Sequence, residues 1–254
     1  MNVSDSTNDS HPPRRTIDLS ADVGEGCPFD DLLLDGLVSS ASVCCGAHAG
    51  GPRTIRRTLE FARDRGVAVG AHPGYPDREH FGRREQAISA DAVTTLILDQ
   101  VGSLVDLAAE VGVAVRFLKP HGALYNQAQR QNPIARGVVD AAAELGLPLL
   151  GLPGSVLNAW AVGRGVRYVA EGFADRRYRP DGSLVPRGEP DALLHDPDEM
   201  TTQLAVLLAR RRVATICIHG DDPRAVENAR TVRRLLDDMR IAVRSFTADE
   251  EGGG

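Results

Sequence analysis

From Thr16 onward, short apolar or β-branched runs alternate with longer stretches whose apolar positions recur every three or four residues. Short runs bounded by turn residues read as strands, and the longer periodic stretches read as helices. The pattern predicts strands at 16–19, 41–45, 67–71, 116–119, 148–152, 167–170, 214–219 and 241–246. It predicts helices at 52–65, 89–110, 133–145, 155–164, 197–211 and 223–239. Pro52, Pro133, Pro197 and Pro223 stand at helix starts, where a missing N–H costs nothing. Gly66, Gly112, Gly146 and Gly165 follow four of the helices, where a left-handed residue ends the spiral.

Strict strand–helix alternation implies an α/β fold with a parallel sheet. Seven or eight such units fit a closed (β/α) barrel, with an open doubly wound sheet as the alternative. No composition shift or internal repeat divides the chain, so residues 16–249 read as one domain. Residues 1–15 read as a disordered lead-in and 250–254 as a flexible tail.

The residues at and just beyond the strand ends carry the chemistry. Asp18, Asp22 and Glu25 come with the first strand, His48 after the second and His72 after the third. Lys119 and His121 end the fourth; Glu171, Asp175 and Arg176 follow the sixth; His219 and Asp221 follow the seventh. In a barrel, strand C-termini converge on one mouth, where the active sites of this architecture lie.

Composition sharpens that reading at one point. The chain has a single lysine, Lys119, against twenty-eight arginines. A compact ammonium and a planar guanidinium are not interchangeable in a tight site, so the lysine reads as functional. The net charge of −6 and the lack of a basic run argue against nucleic acid. No run approaches the length of a membrane span, and residues 1–15 lack the apolar core of a signal peptide. Cys27, Cys44, Cys45 and Cys217 form no CxxC pair and read as small apolar residues in a reducing cytoplasm.

Several chemistries lack their motifs. There is no glycine-rich loop ending in Lys-Ser or Lys-Thr, no Gly-x-Gly-x-x-Gly after the first strand and no Gly-x-Ser-x-Gly elbow. Histidine, carboxylate and one lysine remain, the groups of acid–base or metal-assisted chemistry.

The runs Ile17 to Gly26, Cys45-Gly46-Ala47-His48-Ala49-Gly50 and Gly70-Ala71-His72-Pro73-Gly74-Tyr75-Pro76-Asp77 resemble the LamB/YcsF family of 5-oxoprolinase A subunits. So do Phe81-Gly82-Arg83-Arg84, Lys119 to Asn126, Phe173-Ala174-Asp175-Arg176 with Leu184-Val185-Pro186-Arg187, and His219-Gly220-Asp221. The chain departs from that family's pattern at Ser20, Ala47 and Gly51 and has a short segment between Leu208 and Val213. The resemblance implies a barrel related to the deacetylase-type seven-stranded barrels. It also implies ATP-dependent opening of 5-oxoproline to glutamate in a complex with subunits B and C.

On that reading Asp22 is the base for water, with His72 and His121 as acids and Lys119 facing the developing oxygen charge, the substrate carboxylate or a phosphate. Asp18, Glu25, His48, Asp175, Arg176, His219 and Asp221 are the expected substrate contacts. Two alternatives stay open. A metal-dependent amidase or deacetylase would use Asp22, His48 and His72 to hold a divalent cation. A non-catalytic subunit would only bind a ligand in the same mouth, and assembly into homo-oligomers is compatible with any of these.

Overall fold

The computed structural model describes residues 15–209 and 213–248. The expected lead-in, apart from Arg15, and the expected tail lie outside the described residues, as does the centre of the short segment after Leu208.

Seven parallel strands close into a barrel: β1 (Thr16–Val23), β2 (Ser40–Cys44), β3 (Ala68–His72), β4 (Val115–Leu118), β5 (Leu149–Gly151), β6 (Tyr168–Phe173) and β7 (Thr215–His219). Neighbours pair in chain order, and β1 closes the ring by pairing with both β2 and β7. The eighth expected strand is only β8 (Ala242–Val243). It pairs with the first two residues of β1, outside the ring. The barrel therefore has seven staves.

Around it stand α1 (Asp30–Leu34), α2 (Pro52–Arg65), α3 (Ala90–Glu110), α4 (Gly122–Ala128), α5 (Asn132–Leu145), α6 (Val156–Arg164), α7 (Pro197–Ala209) and α8 (Ala225–Asp238). The periodicity located all but α1 and α4, which are too short to show one. Ser89 and Ser155 cap α3 and α6 by accepting from the backbone N–H of Ala92 and Asn158. Gly66 and Gly146 end α2 and α5 with φ of 65° and 66°, in the left-handed region where a side chain is disfavoured.

Helix α3 corrects one expectation: it is long and apolar enough to cross a membrane by length and composition. Here its Val93, Ile97, Val101 and Leu104 stripe is buried in the main core.

Alternation along the strands sorts the barrel into two worlds. Outward positions such as Leu19, Ala21, Val43, Val69, Leu118, Leu149, Ile216 and Ile218 join the core shared with the helices. Inward positions are largely polar near β1, β2 and β7. The Asp18 carboxylate accepts from Ser39 Oγ at 2.7 Å, Ser40 Oγ at 2.8 Å and the Thr215 hydroxyl. Across the barrel, Phe117, Leu150 and Val169 form a small apolar cluster with Phe246 against it. Gly70 makes room for that ring, since a Cβ there would lie 2.1 Å from the Phe117 ring. Hydroxyls and aromatic carbon together fill the lower barrel.

Candidate active site

The mouth opens into a cavity of about 790 Å³. Asp22, His72, Lys119, His121, Arg176 and His219 line it, with Arg83, Arg187, Phe173 and Tyr125 on its walls. Six of the eleven expected site residues thus face one space. Glu25 and His48 stand directly behind His121, and Asp175 and Asp221 tie down the rim.

Lys119 is 2 % exposed and sits at the centre. Its Nζ lies 2.8 Å from Asp22 Oδ1, 2.9 Å from Cys217 Sγ and 3.3 Å from Glu171 Oε2. The ammonium donates to Asp22 and Cys217, while Glu171 stands at ion-pair distance with both its buried oxygens free of hydrogen bonds. Burial opposes the charge on Lys119, but Asp22, Cys217 and Glu171 overcome it and raise the pKa well above its ordinary value. Burial would likewise raise Asp22, yet His72, Lys119 and His219 hold it below the usual carboxylate range. With both imidazoles neutral at physiological pH, the Lys119 ammonium is the charge that keeps Asp22 ionised. The lysine expected to face the developing oxygen charge also positions Asp22.

Two histidines face Asp22. His72 Nδ1 lies 2.7 Å from the Lys119 carbonyl and His121 Nε2 2.9 Å from the Phe81 carbonyl. Phe81 presents that carbonyl from a left-handed conformation, φ 56°, which costs a non-glycine residue of the order of 1–3 kcal/mol. The remaining nitrogens, His72 Nε2 and His121 Nδ1, are 3.0 Å apart. Asp22 Oδ2 is 3.5 Å from His72 Nε2, and Glu25 Oε1 is 3.3 Å from His121 Nδ1. Behind them His48 stacks on His121 with ring centres 3.7 Å apart, and its Nε2 lies 3.1 Å from Glu25 Oε1. Burial pushes His72 down to about 4 and His48 down to about 3, with His121 also well below its usual value. Burial, then the charges of Asp22 and Asp221, push Glu25 well up.

The rim is held by ion pairs. Asp175 accepts from the His219 backbone N–H at 3.0 Å and faces His219 Nδ1 at 3.1 Å. Burial would raise Asp175, but His219 brings it down to about 2. Asp221 bridges Arg83 and Arg187, the latter at 2.6 Å. Arg176 donates to the Val185 carbonyl at 2.6 Å and not to its neighbour Asp175, and its buried Nε has no partner.

Asp18 does not reach the mouth: its carboxylate is taken up by hydroxyls in the lower barrel. The donor set expected for a cation, Asp22, His48 and His72, is not the one that converges. Glu25, His72 and His121 each bring a ligand atom within 4.8 Å of the others. Glu171 was noted at a strand end but given no role, and Cys217 and Arg187 were not among the expected site residues. For Cys217 the signal was present, because it occupies an inward strand position between the polar Thr215 and His219.

A profile of the LamB/YcsF family matches residues 17–251. The chain belongs to the LamB/YcsF family. The 5-oxoprolinase A subunit of Paracidovorax citrulli is 43 % identical to this family member over 248 residues, covering 91 % of the chain and 99 % of the relative. The lactam utilization protein from Thermus thermophilus is 38 % identical with a TM-score of 0.83, covering 91 % of this chain and all of that one. The catalytic domain of a peptidoglycan N-acetylglucosamine deacetylase from Eubacterium rectale shares the fold, with a TM-score of 0.51 at 12 % identity over 94 % of this chain and 92 % of that one. The LamB/YcsF barrel is thus of the deacetylase type.

Proposed function

We propose that this chain is the A subunit of a multi-subunit 5-oxoprolinase whose mouth opens the lactam of 5-oxoproline to release glutamate. ATP is used together with partner subunits B and C, in keeping with the lack of a phosphate-binding loop in this sequence. The observation that carries the reading is an uncommitted cation on the cavity wall. Arg83 and Arg187 share Asp221, Arg130 pairs with Glu85, Arg179 with Glu189 and Lys119 with Asp22, whereas among the described residues Arg176 reaches only the Val185 carbonyl and its buried Nε has no partner. A free guanidinium in the mouth suits an anionic substrate, and 5-oxoproline brings a carboxylate.

Opening a stabilised amide needs a nucleophile, a proton acceptor and a donor for the leaving nitrogen. Asp22 Oδ2 is the ionised acceptor facing the cavity, and water held on it is directed at the lactam carbon. Paired with Lys119, Asp22 is a weak base, which lessens its pull on the proton. Activation of the lactam oxygen with ATP relieves that demand by making the carbon more electrophilic. Arg176 and the Arg83–Asp221–Arg187 bridge place guanidinium groups where the substrate carboxylate and developing oxygen charge arrive.

The test measures glutamate release from 5-oxoproline with ATP, using this chain alone and with B and C subunits. The expected result is release only in the complete mixture, reduced about 100-fold or more by Asp22→Asn. No release from a mixture whose partners work with another A subunit would sink the reading.

A further inference from the structure

The two histidines at the mouth are arranged in a way that hydrogen bonding alone leaves unresolved. A carbonyl oxygen has no proton to give, so the ring nitrogen facing it must be the donor. His72 Nδ1 on the Lys119 carbonyl and His121 Nε2 on the Phe81 carbonyl are therefore both N–H groups. Each neutral ring then turns a lone pair inward, and those lone pairs, on His72 Nε2 and His121 Nδ1, face each other at 3.0 Å. As a carboxylate, Glu25 Oε1, which lies 3.1 Å from His48 Nε2, adds a third acceptor 3.3 Å from His121 Nδ1. A proton on Glu25 would satisfy its contact with His121 and leave the two rings lone pair to lone pair. A proton on either ring would put a charge on a buried imidazole.

We propose that Glu25, His72 and His121 form a binding site for one divalent transition-metal ion of the zinc class. Their ligand atoms lie within 4.8 Å of one another. Ligand distances near 2.1 Å in a tetrahedral site separate donor atoms by about 3.4 Å, close to the 3.0 Å and 3.3 Å that separate His121 Nδ1 from His72 Nε2 and Glu25 Oε1. Both rings donate their outer N–H to a backbone carbonyl, the support that fixes tautomer and orientation in metal-bound histidine. Two imidazoles and one carboxylate are borderline ligands that favour zinc or cobalt over magnesium or calcium. Three protein ligands leave a coordination position open toward the cavity that His72 and His121 line. His48 belongs to the support: it stacks on His121 and anchors Glu25 from behind.

The site stands independently of the lactam reading, because its test reads metal binding and the other reads glutamate release. The full chain is stripped with a chelator and titrated with Zn²⁺ by calorimetry and with Co²⁺ by visible absorption. One ion per chain is expected, with the intense absorption of low-coordinate cobalt. His121→Ala and Glu25→Gln should each weaken binding by more than the ~100-fold that loss of a supporting partner costs. His80→Ala, which removes a half-buried histidine paired with Asp77 away from this cluster, should leave it unchanged. Should a variant unfold, nitrogen NMR of the wild-type histidines decides. Zn²⁺ must shift His72 Nε2 and His121 Nδ1 while their partner nitrogens stay protonated. No stoichiometric binding, binding that survives in folded His121→Ala, or a proton shared between the rings in the presence of Zn²⁺ would each overturn the proposal.

Discussion

Replacing Lys119 by methionine keeps most of the side-chain volume and removes the charge. Its consequence follows from the three contacts of the ammonium. Asp22 and Glu171 are 5 % and 0 % exposed, and Lys119 is the cation within ion-pair distance of both. Without it, two carboxylates remain close together in the barrel with no positive partner between them. Breaking a buried pair by removing one member costs about 3–5 kcal/mol. For a chain of this size that lowers Tm by about 6–20 °C. The dependence on pH distinguishes this cause from simple loss of packing. In the wild-type protein the folded pKa of Asp22 lies below its unfolded value, so its contribution is present above pH ~4 and is lost on acidification. In Lys119→Met burial has no opposing cation, and both carboxylates titrate above their unfolded values. The folded state then binds more protons than the unfolded one, and stability falls as pH rises from about 4 toward neutral. Urea unfolding followed by circular dichroism at pH 5 and pH 7.5 measures both effects. A loss below about 1 kcal/mol at pH 7.5, or a gain in stability from pH 7.5 to pH 5 no larger than that of the wild type, would refute the assignment of Lys119 as the counter-charge of the mouth.

Two further changes test the frame around the site. Gly74→Ala would place a methyl 2.8 Å from His48 Nδ1 and 3.1 Å from His121 Cβ. It should disturb the histidine stack, so histidine ring resonances shift and, on the proposed function, glutamate release falls further than stability does; unchanged resonances would count against the packing described. Burial raises Asp18 to about 6 in spite of its hydroxyl partners, so its contribution to stability falls by about 2–3 kcal/mol between pH 4 and pH 7. Asp18→Asn should abolish that slope, and the difference in unfolding free energy between wild type and variant across this range is the measurement.

The barrel was legible because its outward strand positions and helix stripes are apolar at the periods of strand and helix, and because glycine and proline mark the ends. Strand lengths were less so. The first strand was expected to stop at Leu19 but runs to Val23, because Ser20 and Asp22 face inward and hydrophobicity alone reads them as the end of the run. The strand-end rule placed Asp22, His72, Lys119, His121 and His219 correctly at the mouth. It misplaced Asp18, which lies on the same inward face as Asp22 but a full barrel layer lower. Pairings between distant loops left no local trace. Asp221 meets Arg83 and Arg187 only through closure of the ring, and nothing near any of the three residues announces the others. Cys217 read as a small apolar residue because its chemistry depends on a lysine almost one hundred positions away.

Among the described residues, the lower barrel is plugged by the Asp18 hydroxyl cluster on one side and by Phe117, Leu150 and Val169 on the other. The tube is therefore a cup and not a pipe: a ligand that enters at the strand C-termini meets a floor, and does not leave through the far end of the barrel.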